Sequence, residues 1–298
     1  MNQIDILWTG DPSCHDVLMV GAKAANLSQR MEKYTIPPGF SVTSSFFKRF
    51  DHIKDLSKMK DALHPIISDA YQQLEKKCQL KEPSVAVRSS AIDEDNLLAS
   101  FAGQFKTFLN VTGCCNIIQA IIECYQSAFS ERVITYRSHK EMKSNNAMSV
   151  FVQQLVAADM SSVVFSKNPV TGDASEIIIN ANWGLGESIV NGKVTPDTYV
   201  VNKHDLSIKE KIISKKSTMC ILCSENGISD VDIPKVMADT QVLTDQQIIQ
   251  NARLAQDLET DFHMNVDIEC AWKSDQLFLL QCRPITTGKE CSENKFPI

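Results

Sequence analysis

The stretch VDIECAWKSDQLFLLQCR, residues 266–283, decides the fold, because apolar and polar side chains alternate on both sides of a short polar turn. The pattern predicts a β-hairpin with strands Val266–Trp272 and Leu277–Arg283. A side-chain period of two puts Glu269 on the polar face, and strand pairing places it opposite Gln281, within about one residue of register. The hairpin therefore predicts a patch where a carboxylate, an amide and a guanidinium converge.

This patch has the chemistry of a metal and phosphate site. The Glu269 carboxylate and the Gln281 amide oxygen suit Mg²⁺, which usually takes its other ligands from water and phosphate. Arg283 shares the face of Gln281 and supplies the planar fork that grips a phosphate. The alternative is an ordinary surface hairpin whose polar side chains face water, as is usual for half-buried strands. The hairpin alone does not choose between them.

Working outward from the hairpin, the apolar periodicity predicts an α+β fold. Helices are predicted over residues 21–34, 44–80, 115–138 and 244–262. Strands are predicted over residues 40–43, 84–89, 105–111, 148–156, 162–166 and 176–180, with a hairpin over 199–214. Thr244 and Gln247 have the spacing of a capping box. A polar break near residue 145 predicts two subdomains, residues 1–145 and 146–288, followed by a tail, 289–298.

Two cations in the N-terminal half are candidates for phosphate contacts. Lys23 follows Gly21 in the first turn of its predicted helix, where a helix N-terminus favours anions. Arg88 ends an apolar strand just before two serines. For Lys23 the alternative is a solvated lysine, which is the rule at protein surfaces. For Arg88 the alternative is an ion pair with a structural acid.

Three loops carry weaker signals. The small residues from Ser100 to Gly103 could wrap phosphate oxygens with backbone N–H groups, although serine and glycine turns are common. Gly184–Glu187 contains two glycines that permit close backbone approach, and a plain loop is its alternative. The acidic run Asp93–Asp95 is better explained as a solvated loop than as a metal cage, since three consecutive residues cannot all face one ion.

Composition excludes several classes of protein. The chain has 298 residues, of which 36 are acidic and 30 basic, and its net charge of -6 gives no general attraction to nucleic acid or anionic membranes. No run approaches the roughly 20 apolar residues of a membrane span, and the N-terminus has no signal-peptide features. Ten cysteines without regular spacing predict reduced thiols in the cytoplasm. The pair Cys220 and Cys223 lacks the second ligand pair that a zinc site needs.

An ordered series of motifs resembles the ATP-binding domain of pyruvate phosphate dikinase and phosphoenolpyruvate synthase, and is also similar to the matching domain of rifampicin phosphotransferases. No single motif is decisive, but together they follow the order of the family and cover residues 20–287. The motifs are Gly21–Leu27, Ile36–Phe40, Val87–Ala91, Glu94–Asp95, Ser100–Gln104, Thr107–Asn110, Val152–Gln153, Asn168–Gly172, Gly184–Glu187, Pro196–Asp197, Asp267–Glu269 and Leu280–Thr286.

The resemblance implies an ATP-grasp type fold that holds ATP and Mg²⁺ between two subdomains. It implies Mg²⁺ ligation by Glu269 and Gln281, with Arg88 and Arg283 as the catalytic cations on the phosphates. Strand 150–154 would lie near the adenine. The residues implied to bind ATP with its metal are Lys23, Arg88, Ser100, Gly103, Gln153, Glu187, Glu269, Gln281 and Arg283.

The resemblance also implies a reaction in which the β-phosphate of ATP passes to a histidine on a separate domain, leaving AMP. The phosphohistidine motif of the family and its phosphoenolpyruvate or pyruvate barrel do not occur in this sequence. We therefore expect a phosphotransferase component that acts on a histidine domain of another chain. Two alternatives remain: a nucleotide-binding regulatory module without catalysis, and an ATP-dependent ligase that forms an acyl phosphate. Formation of AMP with a histidine-domain partner, or of ADP with a carboxylate substrate, would separate them.

Overall fold

The computed structural model describes residues 4–50, 56–91, 106–129 and 148–285, and every structural statement below concerns these residues. The strands are β1 Ile6–Trp8, β2 Gly39–Val42, β3 Val85–Ala91, β4 Thr107–Val111, β5 Met148–Gln154, β6 Met160–Phe165, β7 Glu176–Trp183, β8 Asp197–Asn202, β9 Ile208–Ile212, β10 Thr218–Leu222, β11 Ile228–Asp232, β12 Val266–Lys273 and β13 Gln276–Pro284. The helices are α1 Val17–Ser28, α2 Ser44–Lys48, α3 Leu56–Cys78, α4 Cys114–Ser127, α5 Glu187–Val190, α6 Lys235–Ala238 and α7 Asp245–Phe262, with a 3₁₀ turn at Pro12–His15.

Strands β1 to β5 form an antiparallel sheet in the order β1-β2-β5-β3-β4. Helices α3 and α4 cover this sheet, because each has one apolar stripe at helical spacing. The stripe of α3 consists of Met59, Leu63, Ile67, Ala70, Tyr71 and Leu74, all buried. Phe47 of α2 stacks on Tyr125 of α4 with ring centroids 4.6 Å apart, which closes one end of this core.

Six further strands form a second antiparallel sheet in the order β13-β12-β6-β7-β8-β9. Helix α7 packs on it through a buried stripe that runs from Ile248 to Leu258. The predicted capping box is present, since the Thr244 hydroxyl accepts from Gln247 N at 3.3 Å and the Gln247 side chain accepts from Thr244 N at 3.0 Å. The predicted α+β class is confirmed, with the helices packed on antiparallel sheets.

Helix α1 lies where the two sheets meet and contacts both. Its buried residues, such as Val20 and Leu27, belong to the core of the six-stranded sheet. Gly21 interrupts the helix with a φ of 72°, and a Cβ atom at this position would lie 2.2 Å from the carbonyl oxygen of Ser90 in β3. Asn26, farther along the helix, donates to the Cys282 carbonyl of β13 at 3.3 Å. Only glycine allows the backbone of α1 to approach β3 this closely.

A buried ion pair fixes the segment between β9 and β10. Lys216 and Asp197 have fully buried side chains, and their charged groups lie 2.6 Å apart. Asp197 also accepts the backbone N–H groups of Ser214 and Val242 and the hydroxyl of Tyr199. A paired charge with every lone pair used can be tolerated in a dry interior, and this one ties three separate segments together.

Some predicted boundaries differ from the structure. The helix predicted over residues 21–34 begins at Val17, where Asp16 caps it, and ends at Ser28. The hairpin formed by β10 and β11 was not predicted, and the predicted loop over residues 182–197 contains α5. Strand β5 follows the predicted subdomain boundary at residue 145 but pairs within the five-stranded sheet. The division into residues 1–145 and 146–288 stays a prediction.

We predict that Gly21→Ala lowers the free energy of unfolding by about 2–5 kcal/mol, since it adds an overpacked contact to a strained positive φ. Gly192→Ala is the matched control, because Gly192 also has a positive φ, 63°, but no atom within 4 Å of an added Cβ. That control should lose only about 1–2 kcal/mol. Urea unfolding of both variants measures the difference, and equal losses would show that the contact with Ser90 contributes nothing.

Candidate functional site

A cavity of about 320 Å³ lies between the two sheets. Charged and polar side chains from α1, β3, β12 and β13 line it together with apolar side chains from other segments. The lining residues are Lys23, Arg88, Thr107, Leu109, Leu155, Val156, Ala158, Ser161, Ser162, Val163, Leu185, Gly186, Glu187, Val190, Asn191, Glu269, Cys270, Ala271, Leu280, Gln281 and Arg283. A pocket with an apolar wall and a few convergent charges is typical of small-molecule sites.

The predicted hairpin provides the acidic side of the cavity. Glu269 of β12 pairs directly with Gln281 of β13, as the alternation of the sequence predicts, and a β-bulge follows between Glu269 and Cys270. The Gln281 amide donates to Glu269 Oε1 at 3.2 Å. Both side chains line the cavity, so the hairpin is more than a surface element with its polar face in water.

Arg88 reaches from the five-stranded sheet to this pair. The residue is 8% exposed, and its Nη1 donates to the Leu280 carbonyl and to Gln281 Oε1, both at 3.4 Å. Its Nη2 lies 4.0 Å from Glu269 Oε2, which makes a long ion pair. Among the described residues, no acceptor lies within hydrogen-bond reach of the buried Arg88 Nε. A buried donor that lacks an acceptor is unfavourable, so the Arg88 guanidinium keeps unused hydrogen-bonding capacity beside the cavity.

The electrostatics of Glu269 combine burial with mixed neighbours. Partial burial raises the pKa of its carboxyl above the ordinary value, because the charged form loses part of its hydration while 25% of the side chain stays exposed. The positive charge of Arg88 lowers this pKa and the negative charge of Asp267 raises it, with smaller effects from Arg283 and Lys23. The protein alone therefore does not fully stabilise the charged carboxylate, and an added cation would do so.

Two more charged residues, Arg283 and Lys23, also belong to the lining of the cavity. Arg283 donates through Nε and Nη2 to Asp267 Oδ2, at 2.9 and 2.7 Å, and keeps a third of its side chain exposed. Lys23 follows the break at Gly21, and its Nζ donates to the Ser89 carbonyl at 3.2 Å. Arg88 itself bridges to the opposite sheet without a ligand, through its bonds to the Leu280 carbonyl and to Gln281.

The other predicted residues fall into three groups. Glu187 lines the cavity, and its Oε1 accepts from Asn191 Nδ2 at 2.8 Å. Gln153 is buried in β5, donates to the Pro37 carbonyl at 3.3 Å and does not contribute to the described lining. Ser100 and Gly103, with the acidic run 93–95, lie outside the described residues.

Sequence reasoning missed most of the apolar wall. Leu155, Val156 and Ala158 follow directly on β5, and Leu109 lies in β4. The apolar run that continues past the end of β5 was the available signal, but nothing in it shows that the segment turns into a cleft. Asn191, which also lines the cavity, was missed as well. Its position four residues after Glu187, the spacing of one helical turn, was the available signal that the two side chains bond.

The ligand atoms of Glu269 and Gln281 suit a Mg²⁺ ion that is shared with a phosphate better than they suit a metal ion bound by protein side chains alone. The described residues contain no group of three or more His, Cys, Asp or Glu that could hold a metal. Glu269 offers a carboxylate and Gln281 an amide oxygen on paired strands, but without a ligand the Gln281 oxygen accepts from Arg88 and its amide nitrogen faces Glu269, so the amide has to turn over before both oxygens can ligate one ion. Mg²⁺ is often held by one or two carboxylates together with phosphate oxygens and water, so this pair suits the ion when a phosphate ligand is also present.

Comparison with known proteins identifies a family and several relatives. The family model of the pyruvate phosphate dikinase AMP/ATP-binding domain matches residues 53–297. Curated relatives include the probable phosphoenolpyruvate synthase of Methanocaldococcus jannaschii, 34% identical over 97% of this chain and 27% of that protein. The phosphoenolpyruvate synthase of Pyrococcus furiosus is 33% identical over 96% of this chain and 44% of that protein. The Bacillus subtilis protein named uncharacterized phosphotransferase YvkC is 36% identical over 93% of this chain and 35% of that protein.

The chain thus spans less than half the length of these relatives. Among solved structures, the dinucleotide-forming acetyl-coenzyme A synthetase 1 of Ca. Korarchaeum cryptofilum is similar over 73% of this chain and 81% of that chain, with a TM-score of 0.36 and 8% identity. So low a likeness carries no argument about this molecule. None of the described helices is both long enough and apolar enough to cross a membrane.

We predict that Glu269→Gln stabilises the ligand-free protein increasingly as pH rises from about 4 to 8. The pKa of Glu269 is raised in the folded state, so its contribution to stability is fully present below the unfolded pKa and is lost as pH rises through the folded pKa. Glutamine binds no proton and avoids this loss. Urea unfolding at several pH values, without metal or nucleotide, measures the difference.

Asp261→Asn is the control of opposite sign. The hydrogen bond from Lys33 lowers the pKa of Asp261, so its contribution is present above the unfolded pKa and is lost as pH falls through the folded pKa. The asparagine variant should therefore be less stable than the wild type at neutral pH. A Glu269→Gln curve with the same sign as the Asp261→Asn curve would contradict the burial argument.

Proposed function

The chain belongs to the family of the pyruvate phosphate dikinase AMP/ATP-binding domain, and we propose that its cleft binds Mg-ATP for phosphoryl transfer to a histidine domain. The observation that carries this proposal is the contact of Arg88 with the Glu269–Gln281 pair. It places an incompletely satisfied arginine and two oxygen donors for a metal at one end of one cavity. A nucleoside triphosphate with its metal supplies both the anion and the cation that this end needs.

Each end of the cavity has its own task in this proposal. Lys23, Arg88 and Arg283 bind phosphate oxygens, the two arginines through planar forks and the lysine as a compact charge. The apolar segment Leu155–Ala158 contacts the adenine, which is the role first expected for strand 150–154. Glu187, held by Asn191, lies where it can accept hydrogen bonds from the ribose hydroxyls. Ser100 and Gly103 remain proposed phosphate contacts.

Glu269 and Gln281 would hold the Mg²⁺ ion, which when bound neutralises part of the charge on the phosphates. Arg88 lies in β3 and its side chain donates to two acceptors in β13, so little reorganisation is needed when charge develops on a transferring phosphate. The relatives named phosphoenolpyruvate synthase suggest attack of a histidine nitrogen on the β-phosphorus. The bond from that phosphorus to the α–β bridging oxygen breaks, the oxygen leaves with AMP, and the β- and γ-phosphates pass together to the histidine as a diphosphoryl group.

The acceptor histidine is proposed to lie outside this sequence. The four histidines of the described residues, at positions 15, 64, 204 and 263, are exposed, and none of them lines the cavity. The chain also covers less than half of its relatives, so the missing domain can belong to another chain or to a longer protein. Mixing the chain with a candidate histidine-domain protein and ATP tests this, since AMP should form only when both are present.

We predict that the chain alone gains no acid-labile label when it is incubated with Mg²⁺ and ATP labelled in the β-phosphate. The physical reason is that no described histidine reaches the cleft. Labelled protein is separated under alkaline conditions, which preserve phosphohistidine, and counted before and after acid treatment. Stoichiometric label that is lost in acid would contradict the assignment of the acceptor to another domain. If a histidine-domain protein is added and neither protein gains label and no AMP forms, the result would favour the alternative of a nucleotide-binding regulatory module without catalysis.

We predict that Glu269→Ala weakens ATP binding in the presence of Mg²⁺ by about tenfold to a hundredfold, and changes it little without the metal. Among the described residues, Glu269 provides the only carboxylate of the proposed ion site, so its loss removes the metal-dependent part of the affinity. Calorimetric titration with ATP, with Mg²⁺ and with a chelator, measures both affinities. Asp261→Ala is the control, because it removes an ion-paired carboxylate outside the cavity. Equal losses with and without Mg²⁺ would assign Glu269 to folding.

A further inference from the structure

The hairpin of β10 and β11 belongs to neither sheet and connects the two opposite walls of the cavity. It is a separate two-stranded unit in which Thr218 pairs with Asp232 at the open end and Leu222 pairs with Ile228 near the turn. The turn end contacts β4 of the five-stranded sheet, and strand β10 contacts the segment that follows β7 of the six-stranded sheet. Two-stranded hairpins are marginally stable alone, so these contacts hold it in place.

Asn110 forms the main contact at the turn end. It is 4% exposed, and its Nδ2 donates to the carbonyls of Cys223 and Gly227 at 2.9 and 2.7 Å. Its backbone carbonyl accepts from Gly227 N at 3.0 Å, while its Oδ1 accepts from Ser84 Oγ at 2.8 Å. The side-chain amide therefore uses both of its N–H donors on the hairpin and its oxygen on its own sheet. Asn110 also has a φ of 55°, a conformation that asparagine tolerates better than most residues.

Asn226 makes a reciprocal contact from the hairpin to the sheet. Its Oδ1 accepts from Thr112 N at 2.8 Å and from Thr112 Oγ1 at 3.1 Å. Asn226 is exposed, so this contact contributes less than that of the buried Asn110. The two asparagines thus act in opposite senses. Asn110 of the sheet donates its amide N–H groups to the hairpin, and the amide oxygen of Asn226 in the hairpin accepts from the sheet.

Strand β10 is attached to the loop that forms the opposite wall, from Thr218 at the open end of the hairpin to Cys220 at the middle of the strand. Leu185 N donates to the Cys220 carbonyl at 2.8 Å, and Asn182 Nδ2 donates to the Thr218 carbonyl at 3.1 Å. Gly184 has a φ of 73°, and an added Cβ there would lie 2.3 Å from the Cys220 carbonyl oxygen. This glycine allows the hairpin backbone to lie directly against the loop.

The two attachment points continue into residues that line the cavity. Thr107 and Leu109 of β4 line it on one side, one to three residues before Asn110. Leu185–Glu187 line it on the other side, starting at the residue bonded to Cys220. None of the described hairpin residues contributes to the lining. The hairpin thus ties the two walls together from outside the cavity.

We propose that the hairpin Thr218–Asp232 is a clasp that holds the nucleotide cleft closed, with Asn110 and Asn226 as the positioning residues at its release point. Separation of β4 from the Leu185–Glu187 wall requires loss of the hydrogen bonds at one end of the hairpin. The turn end is taken as the release point because four of its five hydrogen bonds depend on the side chains of Asn110 and Asn226, whereas the other attachment has one backbone bond from Leu185 and one side-chain bond from Asn182. Release of the clasp accompanies exit of the nucleotide, and this second part rests on the proposed function.

The clasp itself is tested without nucleotide by amide hydrogen exchange. Gly227 N reports the turn-end contact, because its acceptor is the Asn110 carbonyl, and Leu185 N reports the attachment of β10 to the opposite wall. Asn110→Ala should speed exchange at Gly227 by about tenfold or more and leave Leu185 protected. Asn116→Ala is the matched control, because Asn116 is an exposed asparagine whose Nδ2 donates only to the nearby Thr112 carbonyl. Unchanged exchange at Gly227 in Asn110→Ala would overturn the clasp.

Two aspartate variants test the polarity of the join. Asn226→Asp keeps an oxygen that accepts from Thr112, so exchange at Gly227 should stay near the wild-type rate, unlike in Asn226→Ala. Asn110→Asp replaces the donating amide nitrogen with an oxygen that cannot donate to the carbonyls of Cys223 and Gly227. It should therefore release the clasp as fully as Asn110→Ala. Equal behaviour of the two aspartate variants would contradict the assigned donors and acceptors. Melting temperatures identify any variant that has lost the fold, and the comparison uses the folded variants.

Nucleotide release is measured by stopped flow with a fluorescent ATP analogue and Mg²⁺. Dissociation from Asn110→Ala and Asn110→Asp should be about fivefold to tenfold faster than from the wild type, and dissociation from Asn116→Ala should be unchanged. Faster exchange at Gly227 with an unchanged dissociation rate would show that the hairpin does not control the cleft. If the wild type binds no nucleotide, the proposed function fails, and the exchange experiment still decides whether the clasp exists.

Discussion

The close approach of α1 to β3 at Gly21 is the contact on which the rest of the site depends. A side chain at this position would collide with the Ser90 carbonyl, so the helix can reach the five-stranded sheet only through a glycine. The same helix contacts β13 through Asn26 and packs on the core of the six-stranded sheet. One short helix therefore fixes the distance between the two sheets, and with it the width of the cavity.

The charged side chains of the cavity only partly compensate one another, and a bound ligand would complete their pairing. Arg88 is nearly buried yet holds only long contacts to Glu269 and Gln281, and one of its donors has no acceptor among the described residues. Glu269 is held with its pKa raised, which marks a carboxylate that lacks full compensation. The ion pair of Lys216 and Asp197 is the contrast, because its contacts are short and nearly all of its capacity is used. The first arrangement fits a binding site and the second fits a structural one.

The hairpin of β10 and β11 adds a mechanical constraint to this chemistry. Hydrogen bonds at its turn end are made largely by asparagine side chains, and those from β10 to the opposite wall include the backbone of Leu185 and Cys220. Elements that open in binding proteins come from the less stable parts of the structure, and a hairpin held by a few side chains is such a part. The cavity is therefore fixed on one side by α1 and closed on another by a detachable contact.

The sequence alone determined the local features, because alternation and helical spacing are properties of neighbouring residues. It predicted the β12–β13 hairpin with Glu269 opposite Gln281, and its ordered motifs predicted a family that the chain is now shown to belong to. Tertiary structure decided which distant residues meet. The contact of Arg88 with Gln281 joins positions 193 residues apart, and the link from Asn110 to Gly227 spans 117. No local pattern encodes such contacts, since they arise from the packing of two sheets on one helix.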